Sequence, residues 1–341
     1  MNMSRTWQDN LFRQRRQCKV GIIAFFVMAA YVHIAVKILL FNHILRNNNH
    51  KDFDHTYPVR DTHLKEFPYP LTCKKSELYN FLERNKFIDR KTGERQEQFN
   101  VAIALHVGMV NNWKSIVEDQ ITTLKECGLL GVVDMLMISY SNGLLSDLFQ
   151  VLNPLLASDD ADKTITTVES TGVPWEGPAM NMIHRYCNEQ AHPQTTAVFY
   201  IHNKGASMWH SSWREDLYTN QTWTYGHSLY WRKYLEYFLI ERPALCLDKI
   251  LLQNASTCGA NWHPELLNHY SGNFWSASCK HIQHLEPLKD SNYVAAEFWL
   301  GEYAGLESNQ EHHASLHATY KNLYDELIKP DEYVISGVSN E

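Results

Sequence analysis

The chain has 341 residues, 44% of them hydrophobic and 12% aromatic, and a formal net charge of −7 at pH 7. That apolar and aromatic content excludes an intrinsically disordered chain. The acidic balance argues against nucleic acid as a partner.

Residues 1–19 carry Arg5, Arg13, Arg15, Arg16 and Lys19 against a single acid, Asp9, and read as a cytosolic tail. Residues 20–41 are almost wholly apolar, and about 20 such residues cross a bilayer. The cations ahead of them hold the N-terminus in the cytosol. His33 and Lys37 interrupt the run on one helix face, and Lys37 is close enough to its end to snorkel outward. A cleaved signal peptide with Gly21 to Val36 as its apolar region is the alternative. No small-x-small cleavage site follows, so a transmembrane signal anchor is expected. The chain then reads as a single-pass type II protein of the Golgi or ER membrane. Residues 42–96, polar, histidine-rich and containing Pro58, Pro68 and Pro70, read as a stem. Residues 97–330 read as the lumenal domain and residues 331–341 as a tail.

Of seven cysteines only Cys18 precedes the span. Cys73, Cys127, Cys187, Cys246, Cys258 and Cys279 are an even set in a compartment that permits disulfides. Their pairing stays open at this level, buried free thiols included. No CxxC pair or Cys/His cluster has zinc-ligand spacing. Asn220-Gln221-Thr222 and Asn254-Ala255-Ser256 are acceptor sequons for glycosylation.

The lumenal part predicts one α/β domain with a mostly parallel, Rossmann-like sheet flanked by helices. Phe99 to Val107 is a strand broken only by His106. Trp113 to Cys127 has Trp113, Ile116, Val117, Ile121 and Leu124 at helical spacing, with Gly128 where a C-cap belongs. Val132 to Tyr140 is a second strand, Leu144 to Leu156 a helix, Lys163 to Val168 a thinner strand, and Pro178 to Glu189 a helix. Strands alternating with helices of this length predict a right-handed parallel sheet. No GxGxxG or GxxxxGK fingerprint is present.

Ala197 to Ile201 is a short apolar run of the kind that fills a fully buried parallel strand. His202, Asn203, Lys204 and Gly205 follow at once. Ligands of open α/β sheets bind beyond the carboxyl ends of the strands, so an anionic ligand is expected there. A solvated polar turn is the plainer reading. Beyond it, His227 to Ile240 is an aromatic-rich helix and Ala244 to Leu252 another. Thr257 to Trp262 and Ser271 to Ser278 are short strands, the second leading into a helix near Lys280 to Leu285. Glu297 is a carboxylate within an apolar, aromatic stretch, where it is either perturbed and functional or paired in a salt bridge.

The ordered landmarks Tyr200-Ile201-His202-Asn203-Lys204-Gly205-Ala206-Ser207, Gly272-Asn273-Phe274-Trp275-Ser276-Ala277 and Ala296-Glu297-Phe298-Trp299 resemble those of a sparsely characterised glycosyltransferase-like family. It is similar to rhamnan-synthesis-type proteins of bacteria, algae and large DNA viruses. The resemblance runs from about Val101 to Leu300 and implies a GT-A-like fold with a nucleotide-sugar donor and a glycan or glycoprotein acceptor.

In such folds an Asp-x-Asp commonly ends the central strand and holds a divalent metal against the diphosphate. This chain offers His202-Asn203-Lys204 there, which leaves a role for manganese or magnesium open. Lysine is an effective point-charge phosphate binder, and a leaving diphosphate needs its charge neutralised by some means. On the resemblance, His106, Gly108, His202, Asn203, Lys204 and Gly205 would bind the donor. Asn273 and Trp275 would face the acceptor. Lys204 and Glu297 would be catalytic, Glu297 as general base in an inverting displacement. Trp209, Trp213 and Trp223 would form a lid or acceptor wall, core packing being their alternative. A non-catalytic carbohydrate-binding module is the principal rival, and a metal-dependent hydrolase the weaker one.

Overall fold

The computed structural model describes residues 73, 75–89, 99–156, 164–169, 176–206, 221–264, 268–289, 295–301, 312–319 and several positions between 321 and 333. The expected span at residues 20–41 lies outside the described residues, as does most of the expected stem. Among the described residues no helix is long and apolar enough to cross a membrane.

The first structural element lies inside the expected stem. Helix α1 (Lys75–Arg84) buries Leu78, Phe81 and Leu82, an i, i+3, i+4 stripe, into the main core. A Cys73–Cys127 disulfide and an ion pair of 3.2 Å from Arg242 to Glu77 hold it there. The folded part therefore begins before residue 97. The polar composition of residues 42–96 hid a helix whose apolar face is only three residues wide.

Strand β1 (Asn100–Gly108) is buried along nearly its whole length. Helix α2 (Trp113–Glu126) returns along the sheet, and a short helix, α3 (Leu129–Val132), turns the chain into β2 (Met135–Ser141). Then come α4 (Leu145–Leu156), β3 (Thr164–Glu169), α5 (Gly177–Asn188) and β4 (Thr196–His202). These four strands are parallel in the order β3-β2-β1-β4, as the alternating pattern predicts. The chain moves outward from β1 to β3 and then returns to β4 on the other side of β1. A reversal of this kind opens a crevice at the carboxyl ends of β1 and β4.

The second half departs from that pattern. Helix α6 (Gln221–Glu236) continues into a π-helical turn, Tyr237–Glu241, and α7 (Pro243–Leu247) into another, Asp248–Leu252. After them come β5 (Thr257–Gly259), a small hairpin of β6 (Trp262–His263) with β7 (His269–Tyr270), and β8 (Trp275–Ser278). Helices α8 (Cys279–Ile282) and α9 (Ala295–Trp299) and strand β9 (His313–Ser315) complete the described elements. Among the described residues seven strands share one sheet, in the order β3-β2-β1-β4-β8-β5-β9. Strand β8 runs antiparallel to both β4 and β5, so the segment before it arrives at the carboxyl end of β4.

Two apolar layers cover the sheet. Val101, Ile103, Leu105 and Val107 of β1 pack with α1, α2, α4 and α6. Ala102 and Ala104 face α5, α8 and α9, and Met180, Ile183 and Trp299 of those helices are buried there with Trp275 of β8. The six cysteines after residue 18 pair as Cys73–Cys127, Cys187–Cys279 and Cys246–Cys258. The second links α5 to α8 and so ties the parallel half of the sheet to the antiparallel insertion.

Candidate functional site

Of the residues singled out in the sequence, His106, Gly108, His202, Asn203, Lys204 and Gly205 lie at the carboxyl edge of the sheet, at the point where strand order reverses. In register, Ser139 of β2, His106 of β1 and His202 of β4 stand side by side. Just past β4, the Asn203 amide spans the crevice to Gly108. Its Oδ1 accepts from Gly108 N at 2.8 Å and its Nδ2 donates to Gly108 O at 2.7 Å. Both amide functions are thus used to staple the two loops together. Asn203 and Gly108, expected as donor contacts, shape the crevice rather than offer free groups to it.

His106 is also internal. It is buried, with Nδ1 at 2.8 Å from Ser139 Oγ and Nε2 at 3.5 Å from Ser141 Oγ. Burial pushes its imidazolium down to about 4, so the ring is neutral at pH 7.

His202 donates from Nε2 to Gly272 O at 3.0 Å, and its Nδ1 stands 3.3 Å from Glu176 Oε1. Burial, then the nearby Lys204 ammonium, push its imidazolium down to about 3. Glu176 is a residue that sequence reasoning missed. It sits immediately before α5, and its Oε2 accepts from Tyr200 OH at 2.8 Å and from Asn273 Nδ2. Nothing local marks it, because its partners lie 24 and 97 residues away.

Trp275 does not face an acceptor. It is 1% exposed, its ring lies 5.1 Å from Tyr200 and 6.4 Å from Trp299, and its Nε1 donates to Asn273 Oδ1 at 2.8 Å. A tryptophan on a central strand of a covered sheet is core, and here its N–H finds the partner that burial demands. Asn273 is buried too, held by Trp275 on one side and Glu176 on the other.

Lys204 is the group left over. It is half-buried, and its Nζ lies over the Trp231 ring, 3.8 Å from the centroid. Among the described residues it makes no ion pair. Burial holds its pKa below the ordinary lysine value, against the opposing fields of Glu297 and Glu176. Gly205, at φ +90°, turns the chain away next to it, with the Ser228 side chain 3.0 Å from where a Cβ would stand.

Gly272 and Asn273 both have positive φ and form the turn into β8. A Cβ on Gly272 would lie 2.8 Å from Trp231 Nε1 and 3.2 Å from Lys204 Cε, so only glycine lets this turn close over the lysine. Gly272 N donates to Glu297 Oε1 at 3.2 Å. The other oxygen of Glu297 accepts no hydrogen bond among the described residues. Lys204, Gly272 and Glu297, far apart in sequence, thus meet at one place.

A charge network carried by α2 and α6 backs this turn. Gln120 Nε2 donates to His202 O at 2.9 Å and to Glu236 Oε1 at 3.1 Å. Arg232 reaches Lys204 O at 3.5 Å, Glu236 at 3.3 Å and Asp119 at 3.6 Å, while Lys233 binds Asp119 at 2.6 Å. These are two cations and two anions, mutually compensated, and such pairs stay buried only when so satisfied. The network fixes the carbonyls that flank Asn203 and leaves the Lys204 charge for another partner.

The depressed histidines make a stability prediction. His106 titrates near 6.5 when unfolded and near 4 when folded, so its contribution is complete above pH 6.5 and is lost as pH falls toward 4. It amounts to about 3 kcal/mol, and His202 acts in the same direction. Urea midpoints measured from pH 7 down to pH 4 should fall steadily. A flat profile would refute the burial of these rings.

The described residues where Asp-x-Asp would stand do not fit a metal. Where Asp-x-Asp would stand, the Asn203 amide is committed to Gly108, both His202 nitrogens face protein groups, and Lys204 is a cation. Among the described residues no group of three or more His, Cys, Asp or Glu side chains is placed to hold an ion. Of the sequons, Asn254 is exposed on a positive-φ turn, and Asn220 lies outside the described residues. Trp209 and Trp213 also lie outside them, and nothing is described of the Trp223 side chain.

No curated protein matches the chain. The chain is similar to the solved glucosyl-3-phosphoglycerate synthase of M. tuberculosis. That likeness has a TM-score of 0.39 and 12% identity, over 77% of this chain and 81% of that one. It is also similar to HddC from Yersinia pseudotuberculosis, with a TM-score of 0.33 and 9% identity over 68% of this chain and 96% of that one. At those scores neither likeness carries a statement about chemistry. The family described as Domain of unknown function (DUF8361) matches residues 99–323, from just before β1 to beyond β9 and across every residue of the carboxyl-edge site. This chain belongs to that family.

Proposed function

We propose that the chain is a glycosyltransferase that moves a sugar from a nucleotide-sugar donor to a glycan or glycoprotein acceptor. The observation that carries this reading is the meeting of Lys204 and Glu297 at Gly272, at the carboxyl edge where the strand order reverses. Lys204, seated on Trp231 and without an ion pair among the described residues, binds the donor diphosphate and neutralises the charge that builds on it as the sugar leaves. Glu297, oriented by the Gly272 amide through one oxygen, takes the acceptor hydroxyl proton on the other as that hydroxyl attacks the anomeric carbon. Asn203, His106 and Trp275 hold the crevice open and in register. No step is routed through a metal.

The kinship with rhamnan-synthesis-type proteins belongs to this reading. So does the setting: a type II protein anchored in the Golgi or ER membrane through residues 20–41, with this domain in the lumen. The three disulfides fit an oxidising compartment.

The test is a panel of nucleotide sugars offered to the purified protein, with and without manganese, for hydrolysis and transfer. Glu297→Gln keeps the shape and removes the base, so turnover should drop by about a hundredfold or more while donor affinity stays nearly intact. A protein that binds glycans but consumes no donor would be a carbohydrate-binding module instead.

A further inference from the structure

We propose that Glu176 and His202 form a proton-holding pair that takes up one proton when an anion docks beside Lys204, adding a second positive charge to that site. The inference rests on the donor site placed at Lys204 above. It adds a positioning role for Glu176, whose carboxylate touches no substrate.

The geometry of His202 admits one arrangement. Its Nε2 faces a carbonyl, Gly272 O at 3.0 Å, and must carry a proton. Its Nδ1 faces a carboxylate oxygen, Glu176 Oε1 at 3.3 Å, so a proton on Nδ1 would have an acceptor ready. The other oxygen of Glu176 is held by Tyr200 OH and Asn273 Nδ2, which fixes the carboxylate in this orientation. Both ring nitrogens are committed to protein, so His202 cannot reach a ligand with an N–H. It can act on a ligand only through its charge.

That charge depends on what else is nearby. His202 is surrounded by Glu176 before α5, Lys204 on its own turn, Glu297 on α9, His106 on β1 and the Tyr200 hydroxyl on β4. Without an anion, the buried setting and then the ammonium of Lys204 keep the ring neutral. A docked phosphate or diphosphate offsets the ammonium and adds negative charge of its own. Both effects favour imidazolium. A proton then moves from solvent to His202 Nδ1, where Glu176 Oε1 accepts its hydrogen bond. By linkage the reverse holds, and the anion binds more tightly as pH falls.

Sulfate is a suitable probe because it does not titrate in the working range. Titrating the full chain with sulfate at pH 6 in two buffers of different ionisation enthalpy reads proton uptake directly. The ring nitrogen signals of 15N-labelled histidine report which ring gains the proton, and this needs no variant. Wild type is expected to take up close to one proton. Its sulfate affinity should rise as pH falls, up to about tenfold per unit, with the His202 signals moving to the doubly protonated position. Glu176→Gln and His202→Gln should still bind sulfate but lose the uptake. Sulfate binding that needs Lys204 but moves no proton would overturn this inference and leave the donor site standing. Sulfate binding that survives Lys204→Met, or no binding together with no use of any nucleotide sugar, would overturn the donor site and this inference with it.

Discussion

Lys204→Met is expected to lower glycosyl transfer by about a hundredfold or more and to weaken donor binding as well. Methionine keeps the apolar stem that packs against Trp231 and under Gly272, and removes only the charge. The loss then reads electrostatics, with packing left in place. Removing one preorganised stabiliser of developing negative charge from a water-poor site costs about 3 kcal/mol of transition-state free energy. Donor affinity falls too because the ground-state diphosphate is already charged. That separates Lys204→Met from Glu297→Gln, where the loss falls on turnover alone. Steady-state kinetics with a donor-binding titration decide it, and wild-type values for both constants in folded Lys204→Met would move the site elsewhere.

The largest loss of stability is expected from the double variant Cys187→Ala/Cys279→Ala. The bridge spans 92 residues, and in the chain-entropy account a loop of that length stabilises by about 4–5 kcal/mol. The Cys246–Cys258 bridge spans 12 residues, for which the same account gives about 3 kcal/mol. Urea unfolding of the two double variants should show the first as the more costly. The first should also loosen the site, because Cys187 ends the helix that Glu176 begins. Equal or smaller destabilisation from losing the longer bridge would contradict this pairing.

The parallel half of the sheet was legible because β1, β2 and β4 are buried on both faces and therefore read as unbroken apolar runs. The helix at Trp113 was legible for the complementary reason, one buried face at a period of 3.6. The direction of β8 was not legible. Residues 271–278 read as a strand, but only pairing with β4 and β5 decides which way it runs. At the site, Lys204 and Glu297 stood out as charges against apolar surroundings. Trp275 stood out equally, and misled, because an aromatic beside Gly-Asn reads the same whether it faces a ligand or the core. Glu176 was silent because what makes it notable is three long-range contacts and no pattern of its own.

The Cys73–Cys127 bridge sits at the end of the sheet opposite the crevice. Helix α2 starts at the carboxyl end of β1 and runs back along the sheet, so its last residues, and Cys127 after them, lie at the amino edge. The backbone there confirms the position: Asp134 N donates to Val101 O at the start of β1. Cys73 is therefore held on the side of the domain away from the crevice. A crosslink at that edge braces the sheet from behind and involves no residue of the carboxyl-edge site.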